Sequence, residues 1–296
     1  MAPRTYRAIF FDLDGTLLPM ELDEFLGAYF EAIAGFVARQ GLDAKAFSAG
    51  LKAGIGAMAS HDDGRTNHEA YWEAFFQHAD ADAAAWEELL TEFYEHEFGA
   101  IGEGFQPNPA AARAVEALAA KGYPLVLATM PMFPRRAVEW RLRWAGIDPA
   151  AFSRITTFEN STAVKPKPEY YAENLAAAGV EGRDVLMVGN NTKEDLAACQ
   201  LGCEGFLVTD FLIDPVGFEV FSVRHGSMEK FADWVDSLPE CADPAQGVSD
   251  AIVPAAARER VLAACGIADG QAGGAKTLEE AGRSRGTEFV IKGMED

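Results

Sequence analysis

Two carboxylates one residue apart, Asp12 and Asp14, end an apolar stretch and are followed at once by Gly15 and Thr16. The preceding Ala8-Ile9-Phe10-Phe11 reads as a buried strand. Both acids then sit at its C-terminal tip, where open α/β sheets bind their ligands. A glycine that frees the backbone and a hydroxyl beside paired carboxylates suit a site for a metal and an oxyanion. Taken alone, the same residues also describe a strand running into an Asx-type turn. Further groups follow at strand ends and in loops. Thr129 closes the run Tyr123-Pro124-Leu125-Val126-Leu127-Ala128. Lys165 lies in Val164-Lys165-Pro166-Lys167-Pro168, where two prolines hold the loop extended and then start a helix. The stretch 184–189 ends in Gly189-Asn190-Asn191-Thr192-Lys193-Glu194-Asp195. Thr129 alone could be a capping hydroxyl and Lys165 a solvated charge; together, in this order, they point into one cleft.

These residue types fit phosphoryl transfer. A carboxylate nucleophile splits hydrolysis into two easier steps through an aspartyl-phosphate. A second carboxylate can protonate the leaving oxygen and then activate water. A hydroxyl and a lysine can bind the non-bridging oxygens, whose charge must be stabilised in the transition state. Mg²⁺ prefers oxygen ligands and binds through one or two carboxylates plus the phosphate.

The elements that must position these groups are legible in the pattern. Strands are expected at the start, at 123–129, 155–158, 184–189 and 205–209, separated by helices at 109–121, 134–145, 168–178 and 193–200. Short apolar strands alternating with helices predict an α/β fold with a parallel sheet covered on both faces. Residues 20–100 differ. They lack proline, and apolar residues recur at helical spacing over 21–40, with further helices expected at 43–59, 67–79 and 83–98. This predicts a helical bundle inserted into the α/β domain, with the Ala-Gly mix at 49–57 weakening its second helix. Helices are also expected at 228–238 and 254–264, followed by a Gly/Ala-rich stretch at 266–274 in a partly ordered tail.

The chain has 296 residues, 49% of them hydrophobic, and a net charge of −21. A sizeable core is expected, and partners that need a basic surface, nucleic acid and anionic membrane, are not. The overall field opposes an anionic substrate, so a phosphate site must be made attractive locally by a cation, a lysine or helix N-termini. Cys199, Cys203, Cys241 and Cys265 lack the spacing of a zinc site and read as reduced thiols. With no apolar leader after Met1 and no stretch of the ~18 apolar residues a spanning helix needs, a soluble cytoplasmic protein is expected.

The ordered set FFDLDGTL, Thr129, KPKP and a GNxxxxD-like loop resembles the haloacid dehalogenase superfamily over about residues 6–210. The resemblance implies a Rossmann-like parallel sheet with an inserted helical cap of the C1 type: core at 1–19 and 101–238, cap at 20–100, and a C-terminal extension at 239–296. It implies Asp12 as nucleophile and Asp14 as general acid/base, with Thr129 and Lys165 holding the phosphoryl group and Lys165 also restraining Asp12. Mg²⁺ would be held by Asp12 and the Asp14 backbone carbonyl, with Asn190, Glu194 and Asp195 at the far side. Asp14 matters for reaction type, because the dehalogenase and phosphonatase branches lack it. Where the family carries an acid, this chain has Asn190, which offers an amide oxygen but no charge.

Residues facing a substrate are expected to include Gly15 and Thr16 after the acids, Met130 beside Thr129, and Arg65 and Asn67 from the polar loop 61–69 of the cap. Arg65 could contact an anionic leaving group and Asn67 or His68 a hydroxyl; the plainer reading is that Thr66 or Asn67 caps the next helix. The function so implied is a Mg²⁺-dependent phosphatase acting on a small phosphorylated metabolite, as a monomer or homodimer. A sugar-phosphate mutase of the same fold and a non-catalytic ligand-binding protein are the alternatives.

Overall fold

The computed structural model describes residues 4–79 and 83–267. At its centre is β1 (Ala8–Phe11), four residues buried on both faces. Side chains alternate across a strand. Ile9 and Phe11 therefore enter one apolar cluster while Ala8 and Phe10 enter another on the opposite face. Five more strands complete the sheet: β2 (Leu125–Leu127), β3 (Arg154–Ile155), β4 (Val185–Gly189), β5 (Glu204–Val208) and β6 (Arg224–Gly226). The order is β3-β2-β1-β4-β5-β6 and every pairing is parallel. Phe11 pairs with Leu127 on one side and Val188 on the other. The winding reverses between β1 and β4, which places the ligand crevice of such a sheet beyond their C-terminal ends.

The segment after β1 opens with four helices: α1 (Leu22–Arg39), α2 (Ala44–Ser60), α3 (Asn67–Phe75) and α4 (Ala83–His96). Contrary to the expected weakness, α2 runs unbroken through its glycines. A Cβ at Gly50 would lie 2.8 Å from the Phe75 ring, and one at Gly54 would lie 2.4 Å from the Tyr71 ring. The missing side chains let α2 lie directly on the aromatic face of α3, and this packing outweighs low helix propensity. Thr66, not Asn67, caps α3: its hydroxyl accepts from Glu69 N at 3.2 Å while Glu69 Oε2 accepts from Thr66 N at 2.8 Å.

The remaining helices cover the sheet: α5 (Pro109–Ala120), α6 (Arg135–Trp144), α7 (Pro168–Ala178), α8 (Met228–Asp236) and α9 (Ala255–Ala264). Gly179 ends α7 in the left-handed conformation, with φ 62°. The helix expected at 193–200 is instead a tight 3-10 winding, Asp195–Leu201. It brings the Leu201 carbonyl against Gly182, where a Cβ would meet it at 1.9 Å.

Residues 239–267 are tied to the core rather than loosely attached. Ala245 N donates to Arg7 O at 3.0 Å and Cys241 N to Lys121 O at 2.8 Å. The buried Arg154 donates to the carbonyls of Ser249 and Ala251 at 2.9 and 3.0 Å. Most of the Gly/Ala-rich stretch at 266–274 lies outside the described residues. Among the described residues, the four cysteines are free, and no helix is long and apolar enough to cross a membrane.

Candidate active site

The tip of β1 carries Asp12, and the neighbouring tip of β4 carries Gly189 followed by Asn190. Lys165 bridges the crevice between them. Its Nζ donates to Asp12 Oδ1 at 2.8 Å and to Asp195 Oδ1 at 2.7 Å. Burial opposes its charge, but the two carboxylates outweigh burial and hold Lys165 well above its usual pKa. Asp195 is held from the other side by Asn191 N at 2.8 Å. A Cβ at Gly189 would lie 2.2 Å from the Asp195 carboxyl carbon, so only glycine lets that carboxylate reach Lys165.

Thr16 occupies the turn after the acids. Its hydroxyl lies 3.1 Å from Asp12 Oδ2 and 3.2 Å from Asn190 Oδ1. Gly15 has φ +78°, and a Cβ there would lie 2.2 Å from Asn190 Nδ2. The turn can therefore pass close to Asn190 only with glycine at this position. Asn190 spends its amide nitrogen on Phe211 O at 2.6 Å, which turns its oxygen toward Asp12.

A hard divalent cation takes oxygen donors and needs only one or two carboxylates. Asp12 Oδ2 and Asn190 Oδ1 both approach the Thr16 hydroxyl, and both residues line the crevice. The donor type fits Mg²⁺, with little negative charge. Among the described residues, no group of three or more His, Cys, Asp and Glu side chains stands ready to hold a metal ion. Glu194 lines the same crevice; burial, reinforced by Asp195, pushes it up to about 7.

Thr129, at the end of β2, is wholly buried. Its carbonyl is fixed by Thr156 Oγ1 at 2.9 Å and Tyr170 Oη at 2.8 Å, while its own hydroxyl has no partner among the described residues. The backbone is thus pinned and the hydroxyl left available. Met130 follows it and lines the cavity wall.

Asp14 is paired with Arg141, a residue that sequence reasoning did not single out. Arg141 projects from α6 and is buried, its guanidinium 4.6 Å from the Phe133 ring centroid and 5.7 Å from that of Phe25. Burial raises Asp14 and Arg141 pulls it back, leaving it at about 6. A signal for Arg141 was present: Ala137, Val138, Arg141, Leu142 and Ala145 share the buried face of α6, so an arginine stands where the helical period calls for an apolar residue.

Two cap residues fall elsewhere than expected. Arg65 is tied to Asp63 at 2.7 Å and Glu73 at 2.5 Å on the cap surface and does not line the cavity. Asn67 is wholly buried as a strut: its Nδ2 donates to Pro131 O and Ala163 O at 3.0 and 3.3 Å, and its Oδ1 accepts from His61 Nε2 at 2.7 Å. The reason is local. Asp63 sits two residues before Arg65 and captures it, and α3 begins against the core loop, with Asn67 N on Ser161 O and His68 N on Phe158 O.

Cap and core enclose a cavity of 680 Å³ that reaches from Asp12, Asp14, Thr129 and Asp195 up to α1, α2 and α4. Solved structures similar to the chain include three that cover most of it. A predicted phosphoglycolate phosphatase from Haemophilus somnus 129PT is 18% identical, covers 79% of this chain and 99% of that one, and has a TM-score of 0.47. A HAD phosphatase from Thermococcus onnurineus is 20% identical, with 79% and 98% covered and a TM-score of 0.47. A putative beta-phosphoglucomutase from Thermotoga maritima is 19% identical, with 78% and 99% covered and a TM-score of 0.45. No curated protein matches the chain. The family model of haloacid dehalogenase-like hydrolases matches residues 6–201, and the chain belongs to that family.

Proposed function

We propose that the protein is a Mg²⁺-dependent phosphatase that hydrolyses a small phosphomonoester through an aspartyl-phosphate on Asp12. The observation that carries this reading is the shared lysine: one buried ammonium holds Asp12 and Asp195 together at the switch point between β1 and β4. Lys165 keeps Asp12 oriented and offers positive charge where an incoming phosphoryl group needs it. The unpartnered Thr129 hydroxyl suits a second bond to a phosphoryl oxygen. Mg²⁺, held by Asp12, the Asp14 carbonyl and Asn190 with support from Asp195 and Glu194, would offset the negative charge of phosphate and nucleophile.

Asp14 supports phosphate rather than halide chemistry. A departing alkoxide needs a proton and a departing halide does not, and Asp14, raised to about 6, can hold a proton near neutral pH. In the second step the same carboxylate can take a proton from water as it attacks the aspartyl-phosphate. The test is phosphate release from p-nitrophenyl phosphate with Mg²⁺ by the wild type, Asp12→Asn and Asp14→Asn. Wild-type turnover and loss of at least a thousandfold in Asp12→Asn are expected. Chloride release from 2-chloropropionate with no phosphatase activity would reverse the assignment.

A further inference from the structure

The cavity above Asp12 is far larger than a phosphoryl group needs, and its two ends differ in chemistry. The floor is polar and unfinished. Thr129 Oγ1, Asp14 Oδ1 and one terminal nitrogen of Arg141 are buried with no partner among the described residues, and Thr129 and Arg141 are 0% and 1% exposed. The wall contributed by α1–α4 is mainly apolar, with Leu26, Tyr29, Leu51, Ile55, Met58 and Trp72 beside the polar Asp23, His68, Glu87 and Thr91.

Several of the polar atoms on that wall are already used. Tyr29 and Tyr94 join hydroxyls at 2.8 Å, and Trp72 Nε1 donates to His68 Nε2 at 3.1 Å. A polyol placed against the apolar residues would lose water from its hydroxyls, a loss of roughly tenfold in affinity for each one left without a partner. Charge narrows the choice further. Among the lining residues the lysines and arginines are Lys193 and Arg141, and Arg141 is already paired with Asp14. Glu21, Asp23, Glu87 and Glu159 line the same space, so a second anion on the substrate meets four carboxylates against the single ammonium of Lys193. Arg65, the cap arginine that could have met one, faces away into its own ion pairs.

We propose that the site takes phosphate monoesters whose alcohol part is an uncharged, mainly apolar group of ring size or larger, and selects against sugar phosphates and phosphocarboxylates. This deepens the phosphatase reading and rests on it. The phosphoryl group occupies the floor, where Thr129 and Lys165 stand, and the apolar part fills the space under α1 and α2. Arg141 donates its free nitrogen to the ester oxygen or to a polar atom beside it. A volume of 680 Å³ lies within the ~300–1,000 Å³ range of sites that enclose ligands well beyond phosphate size.

The test compares four alkyl phosphates of similar intrinsic reactivity with Mg²⁺: 2-phenylethyl phosphate, ethyl phosphate, glucose 6-phosphate and 2-phosphoglycolate. In parallel, calorimetry measures binding of 3-phenylpropylphosphonate and ethylphosphonate, which cannot be hydrolysed. The expected result is a kcat/KM for 2-phenylethyl phosphate at least tenfold above each of the others, and at least tenfold tighter binding of the phenyl phosphonate. Ile55→Trp, which fills the apolar wall, is expected to cut both preferences at least fivefold. Equal rates, a preference for glucose 6-phosphate or 2-phosphoglycolate, or preferences unchanged in folded Ile55→Trp overturn the proposal. No turnover of any ester, with the phenyl phosphonate still bound more tightly, upholds the cavity's preference and overturns the phosphatase reading instead.

Discussion

Lys165 donates to two carboxylates at once and so sets the charge of the active-site floor. Replacing it with Met leaves Asp12 and Asp195 facing each other with no cation between them. Lys165→Met is expected to lower kcat by roughly a hundred- to a thousandfold and to lower the thermal midpoint, as read by steady-state kinetics and calorimetry on one preparation. Arg141 makes a different prediction, because its partner Asp14 is buried beside it. Removing one member of a buried pair strands the other and costs about 3 kcal/mol. Arg141→Met should therefore destabilise the fold by about that much in urea, and adding Asp14→Asn should recover part of the loss. If the double variant is as unstable as the sum of the singles, the pair does not couple in the way its geometry implies. Lys165 was found because two prolines and an ordered motif flagged its loop, whereas Arg141 stands in a helix rich in arginine, where only its place on the buried face sets it apart.

At the scale of elements, the α2–α3 contact depends on absent side chains. A methyl at Gly54 would overlap the Tyr71 ring, whereas one at Gly27, on the exposed side of α1, meets nothing within 4 Å. Gly54→Ala is expected to cost about 1–3 kcal/mol by overpacking, and Gly27→Ala to gain about 0.5–1 kcal/mol through helix propensity. Urea midpoints of the two variants should move in opposite directions. The contrast also shows why some elements were readable and others not. Apolar runs such as Ala8–Phe11 and Val185–Gly189 announce strands, and Pro168 and Gly179 bracket α7. Strand β6, Arg224–Gly226, was missed because it has no apolar run; it sits at the sheet edge and gains its place by pairing with β5. Arg65 and Asn67 do not line the cavity: Asp63 and Glu73, near in sequence, hold Arg65, whereas the carbonyls of Pro131 and Ala163 reach Asn67 only in the folded chain.

For the whole molecule, buried carboxylates should govern how stability responds to pH. Burial pushes Glu173 and Glu194 up to about 7 and Asp14 up to about 6. The folded state therefore keeps these protons to higher pH than the unfolded chain. Their stabilising contribution is complete below the ordinary carboxylate range and is lost as pH rises through 6–7. The thermal midpoint without divalent metal should fall between pH 5 and pH 8, in the same direction as self-repulsion at a net charge of −21. Mg²⁺ competes with protons for the crevice oxygens, so its stabilising effect should be larger at pH 8 than at pH 5; differential scanning calorimetry with and without Mg²⁺ reads both trends. Asp12 is the attacking group on which the proposed hydrolysis depends. Acid-quenched mass spectrometry during turnover of a phosphomonoester tests that most directly. The prediction is a phosphoryl adduct on the peptide that carries Asp12, absent without Mg²⁺ and absent in Asp12→Asn. Phosphate release by Asp12→Asn at the wild-type rate, with no adduct on that peptide in the wild type, would contradict it.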